Sequence, residues 1–532
     1  MKKLIPHLPF FILLFLIVFL RIFHIATTPL TMHIDEAALG LNAWSIANFG
    51  TDRYGNPMPV CPSNFYGEQS AFYTYFSALL IKFFGLNLYT LRLPAAFMGI
   101  VTVIFGALLI RERWGTRGFY AGLALLGFSP YFIMSSRFAL DCNAMLGVLT
   151  VAVYCLIRVV KKAESEPDRK LYGRFALTGI LFGLTLYTYI IAAIVAAVFC
   201  SLFGLYYLFY KKDGRLLRLK QLFFLTLPLC IMAVPLILVV CVNYFDLEPI
   251  VTPLFSVPKM FVNRTEEVTL SSFSLPGKLR GLLHTLTSDG KYGSSDQYWT
   301  MYPWSVPFIF IGGIYSFYEA VNAFRRRTIV PALYILLILF AEVLLFLLCG
   351  QYIYHINGIF TALAYLCVSG ILCALDFFRR TRESARKSQW PGMALAGVLV
   401  CLYGISFAGF AKDYFGGDTT VAFQVFGGAD DALALLPEDK KDRDIYIMDE
   451  VGEFYFLTNP LPPSEFSALC DELGYITDYE NIHFRHPGTY RADDVYISNR
   501  SSGLYQVLSD ASITGIEFNR LETEHYCVFY CQ

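Results

Sequence analysis

Residues Leu4–Ala26 read LIPHLPFFILLFLIVFLRIFHIA, and Thr27-Thr28-Pro29 leads from that run straight into His33-Ile34-Asp35-Glu36. The run is long enough to cross a bilayer. Lys2 and Lys3 precede it, but no small-residue cleavage site follows, so it reads as an uncleaved first helix rather than a signal peptide. Two adjacent carboxylates therefore stand where the chain first leaves the membrane.

Composition supports the membrane reading. The 532 residues are 56% hydrophobic and only 16% charged, against roughly 25% charged in a soluble domain, and mean hydropathy is +0.51. Aromatics reach 17%, which suits interfacial belts and a cavity for a greasy or sugar ligand. Acidic and basic residues balance at 42 each, which gives a nucleic-acid partner no support. Most of the 13 cysteines, among them Cys155, Cys200, Cys230, Cys349 and Cys373, fall in apolar runs and act as small hydrophobes. No Cys-x-x-Cys pair or His/Cys cluster marks a metal site.

Further apolar runs lie at Leu88–Ile110, Phe119–Ser136, Leu140–Val160, Phe175–Ile190, Ile191–Tyr210, Leu222–Val242, Ser305–Ala323, Ile329–Leu348, Ile353–Phe377 and Pro391–Ala411. The expected fold is an α-helical polytopic membrane protein of about eleven spans. Alternate connections are basic: Arg111, Arg113 and Arg117; Lys161, Lys162, Arg169, Lys170 and Arg174; Lys211, Lys212, Arg215, Arg218 and Lys220; Arg325-Arg326-Arg327; Arg379, Arg380, Arg382, Arg386 and Lys387. Basic loops stay in the cytoplasm. The N-terminus is then cytoplasmic, and loops 27–87 and 244–303 and the tail 412–532 lie outside. Ala71–Phe84 is too short to span and would break this parity, so it is expected as an interfacial or re-entrant helix.

After residue 411 charges return. Strand-like runs at Asp444–Met448, Asp494–Ile497 and Tyr526–Tyr530 alternate with turn signals such as Asn459-Pro460 and His486-Pro487-Gly488. This predicts two domains: a membrane domain, 1–411, and a small extracytoplasmic α/β or α+β domain, 412–532. A disulfide among Cys470, Cys527 and Cys531 is open outside the cell. Asn263-Arg-Thr and Asn499-Arg-Ser match the glycosylation acceptor pattern, which is common by chance and carries no meaning in a bacterial chain.

Several polar groups stand out against this background. Asp35, with Glu36 beside it, reads either as a helix cap with an acid in the first turn or as a general base at the depth of a lipid headgroup. Arg53, beside Tyr54, is a bidentate phosphate clamp or an interfacial arginine. Glu68 is a second carboxylate in the cavity or the polar end of a helix. Arg137 and Asp141, four apart, form a structural ion pair if helical; alternatively Arg137 contacts a donor phosphate. Asn143 follows in the same stretch. Tyr187 and Tyr189 are an aromatic belt or contacts to sugar or isoprenoid. His355 and Asn357 open a span as interfacial residues or as contacts to phosphate or sugar. Asp289, Lys291, Tyr292, Asp296, Tyr298, Trp299 and Trp304 form a polar-aromatic cluster in the long outer loop.

The order of these motifs resembles a known group. His-Ile-Asp-Glu-Ala-Ala-Leu-Gly at 33–40, Asp52-Arg53-Tyr54-Gly55, Leu91-Arg92-Leu93-Pro94, and Ser136-Arg137 with Asp141 and Asn143 resemble bacterial polytopic glycosyltransferases. These are the protein mannosyltransferases and lipid A aminoarabinose transferases of the GT-C membrane fold. The likeness covers roughly the first 200 residues well and the later spans loosely. It implies a polyprenyl-phosphate sugar donor, inverting transfer to a lipid, polymer or protein acceptor on the outer face, Asp35 as base supported by Glu36, and Arg137 as a donor-phosphate contact. The group's Ile-Asn-Arg-Ile-Asn reads Tyr-His-Ile-Asn here around His355, so its arginine is missing. Some relatives use a divalent metal and others do not, and no ligand set here decides the matter.

Three rivals remain at this stage. A transporter or flippase predicts repeated halves with broken helices. A polysaccharide polymerase or ligase shares the lipid-linked substrate but usually lacks the Asp-Glu stretch. A non-catalytic membrane protein that binds envelope polymers would keep its role when Asp35 is changed.

Overall fold

The fold is taken from a computed structural model. It describes residues 8–29, 32–65, 67–166, 170–262, 276–278, 280–282, 300–348, 353–383, 390–416, 428–449 and 451–531. The Asp289–Trp299 part of the outer-loop cluster and the Asn263 acceptor pattern lie outside these residues. Trp304 is described, and its indole donates to Ser406 Oγ.

Each expected apolar run is met by a helix. The first run is α1, Leu8–Ile22. Helix α2, Ile34–Phe49, follows the acidic pair. A small hairpin, β1 (Ser63–Asn64) with β2 (Gly67–Glu68), leads into α3, Ala71–Phe84, which is 14 residues long as the interfacial reading requires. The next two runs lie in α4, Leu88–Phe128, whose two helical arms fold back on each other at Gly115. Asn87 and Thr90 cap its start reciprocally. Gly115 bends it at φ 62° and ψ −149°, a backbone conformation open to glycine and costly for other residues. The basic connection expected around Arg111–Arg117 is therefore the tight turn of a helical hairpin, which sets Gly122 against Ala107 and Gly106 against Leu126.

The remaining helices are α5 (Pro130–Met134), α6 (Cys142–Ser165), α7 (Tyr172–Leu186), α8 (Ala192–Phe209), α9 (Arg215–Tyr244), α10 (Ser305–Arg326), α11 (Pro331–Leu348), α12 (Ile359–Glu383) and α13 (Trp390–Gly416). Among the described residues, seven helices are long and apolar enough to cross a membrane, α4 being one of them. Buried residues of α4, α6, α7, α8, α11 and α12 form the central core. Outside the bundle, β3 (Ile250–Val251) pairs with β4 (Ser256–Val257), and Val60 of the first loop donates its amide to the Ser256 carbonyl.

Ion pairs gather at one end of the bundle: Glu112 with Arg158 and Lys161, Arg113 with Glu319, and Arg117 with Asp376. We call this end the basic face. The opposite end carries α2, α3 and the C-terminal domain.

That domain is a six-stranded mixed sheet of order β6-β7-β5-β8-β10-β9. Strand β5 (Ile445–Ile447) runs parallel to β7 (Ile482–His483) and β8 (Val495–Asn499). Strand β10 (Tyr526–Tyr530) is antiparallel to β8 and to β9 (Asn519–Glu522), and β6 (Asp478–Tyr479) to β7. Period-two alternation sends Ile445, Ile447, Val495, Ile497 and Val528 to one face, against Ala429 and Ala432 of α14 (Ala429–Ala434). Tyr496, Cys527 and Phe529 face the other way, against Leu508 of α17 (Gly503–Ser509).

The disulfide left open among Cys470, Cys527 and Cys531 is not present; all three are free. Cys527 and Cys531 are four residues apart along extended chain, about 13 Å, beyond the reach of an S–S bond. Cys470 ends α16 (Pro463–Leu469) and packs against a different cluster.

The sheet domain sits on α2 through α15, Gly452–Thr458. Leu41 of α2 packs with Phe456, Phe466 and Ile476. A Cβ on Gly40 would come within 2.6 Å of Leu457 Cδ1, so the last residue of the 33–40 motif lets the two elements approach.

Candidate active site beside the first-turn carboxylates

Helix α2 starts under a cap that sequence spacing did not predict. His33, not Asp35, is the N-cap residue. Its Nδ1 accepts the Asp35 amide proton at 3.1 Å, and the Glu36 carboxylate accepts the His33 amide proton at 3.1 Å. Neutral His33 then carries its proton on Nε2. The cap reading of Asp35 gives way to a first-turn placement, with 42% of its side chain exposed and Oδ2 3.3 Å from His33 Nδ1.

Glu36 is fully buried and heavily bound. Arg92 reaches it through two parallel hydrogen bonds, Nε to Oε1 and Nη2 to Oε2, each 3.0 Å. Oε1 also accepts the Ala139 amide proton at 2.6 Å. Arg92 Nη1 donates to the carbonyls of Ile25 and Pro29 at 3.0 Å each. One charged pair thus ties together the end of the first apolar run, the starts of α2 and α4, and the stretch before α6. A carboxylate holding four donors is fixed in position.

Two more arginines lie buried beside this clamp. Arg137 donates to the carbonyls of Leu20, Phe23 and Thr28 and faces the rings of Tyr414 and Phe415. Arg21 donates to the carbonyls of Ile17, Leu126, Gly127 and Phe132. Among the described residues neither has a carboxylate in ion-pair range, so this end of the bundle holds buried positive charge in excess. Sequence reasoning missed Arg21, although a lone charge inside an apolar run was a legible signal.

The helical i,i+4 geometry supposed for Arg137 and Asp141 is absent. The chain passes from a 3₁₀ turn at Ser135–Arg137 to an extended Phe138. Asp141 instead caps α6, accepting the amides of Cys142 at 2.7 Å and Ser70 at 3.0 Å. Ser70 lies two residues past Glu68, at the end of the β1–β2 hairpin. Burial pushes the Cys61 thiol well up, and the charges of Glu68 and Asp141 add to it.

The other expected residues are held by separate local contacts. Beyond Glu68 and Asp141, Asn143 donates to the Phe138 carbonyl at 3.1 Å. Asn357 donates to the Cys142 carbonyl at 3.0 Å and accepts from the Tyr131 hydroxyl at 2.7 Å. His355 and Tyr189 have ring centres 6.3 Å apart. Tyr187 is held likewise: its carbonyl accepts the Phe72 amide proton, and its hydroxyl donates to the Met232 carbonyl. Tyr131 was missed because nothing in an apolar run marks one buried tyrosine from another.

Arg53 and Tyr54 are placed elsewhere. The Arg53 guanidinium donates to Ala38 O, Tyr54 Oη and Asn64 Oδ1, faces Phe65 and Phe466, and lies 3.6 Å from Glu453 of the C-terminal domain. Tyr54 donates to the Gly474 carbonyl at 2.9 Å. These contacts set Arg53 in a seam between the first loop and the sheet domain. Burial raises the Glu453 and Asp52 carboxyls above their ordinary values, opposed at Glu453 by Arg53 and at Asp52 by four hydrogen bonds from Ser63, Asn56 and Tyr54.

Among the described residues no three His, Cys, Asp or Glu side chains converge as a metal site.

Residues 68–241 match the sequence profile of the family described as dolichyl-phosphate-mannose-protein mannosyltransferase. That span holds Glu68, Arg137, Asp141, Asn143, Tyr187 and Tyr189. ArnT from Cupriavidus metallidurans, solved with undecaprenyl phosphate bound, superposes with a TM-score of 0.52 at 13% identity over 97% of both chains. The fold is that of the GT-C glycosyltransferases. ArnT in its apo state matches at TM-score 0.53 and 14% identity, covering 94% of this chain and 93% of that one. The archaeal oligosaccharyltransferase AglB from Archaeoglobus fulgidus, in complex with an inhibitory peptide and a dolichol-phosphate, matches at 0.52 and 14%, covering 94% and 70%. No curated protein matches the sequence. These GT-C likenesses run over nearly the whole chain, C-terminal sheet included.

Proposed function

We propose that this GT-C chain is an inverting glycosyltransferase that takes a sugar from a polyprenyl-phosphate donor and uses Asp35 as general base. One observation carries the reading. Two adjacent carboxylates of one helical turn sit in opposite surroundings, Glu36 bound and dry, Asp35 half open to solvent. Divergent environments at neighbouring acids sort their roles.

In the reaction the acceptor's O–H or N–H proton passes to the Asp35 carboxylate. The acceptor atom bonds to the anomeric carbon from the face opposite the leaving group. The carbon–oxygen bond to phosphate breaks, and the electron pair leaves with the polyprenyl phosphate. Buried Arg137 and Arg21, lacking carboxylate partners among the described residues, supply a positive field that favours this departing anion. Glu36 and Arg92 hold the turn on which Asp35 is mounted. Glu68, Asp141, Asn143, Tyr189, His355 and Asn357 line the substrate side, with Tyr187 at its edge.

The basic-loop pattern supports a cytoplasmic basic face, which sets the site and the sheet domain outside. Residues 1–411 form the catalytic membrane domain and 412–532 the outer domain, which the Arg53–Glu453 seam holds beside the site. The test is turnover of a panel of radiolabelled polyprenyl-phosphate sugars by the purified protein. Release or transfer of sugar from at least one donor supports the proposal; binding of donors without turnover of any supports transport instead.

A further inference from the structure

The basic face holds a cavity that the proposed reaction does not use. It is about 620 Å³ and lies between the end of α6 and the start of α7, lined by Tyr154, Arg158, Lys161, Lys162, Arg174 and Leu177 among others. A second cavity of about 440 Å³ shares Tyr154, Arg158 and Lys161 with it and extends to Arg111, Glu112 and Gly115, the bend of α4.

Its charge is unbalanced. Arg158 and Lys161 share the single carboxylate of Glu112, at 3.0 and 2.8 Å. Lys162 lies 3.4 Å from Glu166. Arg111 faces the Phe119 ring, and Arg174 has no ion pair among the described residues. Among the described residues five cations thus meet two carboxylates. The wall is not polar throughout: Leu177 is exposed on the apolar surface of α7, and partly buried Cys155 continues that side. A cationic pocket opening sideways onto an apolar helix face matches a molecule with an anionic head and acyl tails.

We infer that this pocket binds an anionic phospholipid of the adjoining leaflet. The phosphodiester lies against Arg158, Lys161 and Arg174, and the acyl chains run along Leu177 and Cys155. Clusters of Lys and Arg at the membrane surface attract anionic headgroups; here the bend of α4 adds depth, so the lipid bridges α4, α6 and α7. This site is separate from the sugar-transfer site and does not depend on the assignment of the reaction.

The experiment is native mass spectrometry of the full chain, stripped of lipid and titrated with phosphatidylglycerol or phosphatidylcholine. The wild type is expected to retain phosphatidylglycerol in preference to phosphatidylcholine. R158Q/R174Q should lose that preference by about fivefold for each arginine removed. R325Q/R326Q, on the same face but outside the pocket, should keep it. R174Q alone carries the test if the double variant does not fold, because Arg174 makes no intramolecular ion pair among the described residues. Equal retention of both lipids, or equal losses in the two double variants, overturns the inference. So does full displacement of the lipid by glycerol 3-phosphate, which would assign the pocket to a soluble phosphate.

Discussion

Glu36 and Arg92, 56 residues apart, meet in two parallel 3.0 Å hydrogen bonds with no exposure to solvent. Their neighbour Asp35 shares the helical turn and not the surroundings. Changes at the two acids should therefore fail differently. Removing one member of a buried pair typically costs about 3–5 kcal/mol. R92A and E36A should lower thermal stability on that scale, read as melting temperature in detergent, while D35N should melt with the wild type. Equal melting of all the variants contradicts the division of roles.

The turn at Asn357-Gly358 packs against a buried acid on α11. A Cβ added at Gly358 would lie 2.0 Å from Glu342 Oε1, so one of them must move. G358A should displace Asn357 from Cys142 and Tyr131 and reduce turnover, and the double variant G358A/E342A should recover part of it. If G358A retains wild-type activity, the His355–Asn357 turn has no part in the site.

The seam between Arg53 and Glu453 should respond to pH. Burial raises the Glu453 carboxyl above its usual 4.5 in the folded chain. The folded state then keeps a proton that the unfolded chain has released. Stability from this group is complete below 4.5 and declines as pH rises through the raised value. Asp52 is shifted in the same direction. Limited proteolysis of the C-terminal domain should quicken as pH rises through this window, and E453Q should flatten that dependence. An unchanged slope in E453Q assigns it elsewhere.

R53Q should loosen the same seam. Its guanidinium binds α2 through Ala38, the first loop through Asn64 and the sheet domain through Glu453. Faster cleavage after residue 428, with the membrane helices still protected, is the expected result. Loss of donor-phosphate affinity without faster cleavage would support the clamp reading.

These relationships show what local sequence carries. The apolar runs were legible because some 20 consecutive apolar residues have few competing explanations, and strand β5 because Ile445-Tyr446-Ile447 alternates between two covered faces. The partners of Glu36 and Arg53 were not legible, since Arg92 and Glu453 are brought in by the packing of distant segments and no spacing rule reaches them. The Arg137–Asp141 relation failed for a local reason: the chain leaves the helix at Phe138, so the four-residue spacing no longer stacks the side chains. Asp35 was singled out from its position after the first span, and the structure adds the difference between it and Glu36.

The most direct measurement is single-turnover transfer from a labelled polyprenyl-phosphate sugar by wild type and D35N at matched melting temperature. The account predicts that D35N binds the donor as well as wild type and transfers sugar roughly 10²–10⁴-fold more slowly, the range for loss of a general base. Transfer by D35N at the wild-type rate would contradict the assignment and move the base to another carboxylate, Glu68 or Asp141.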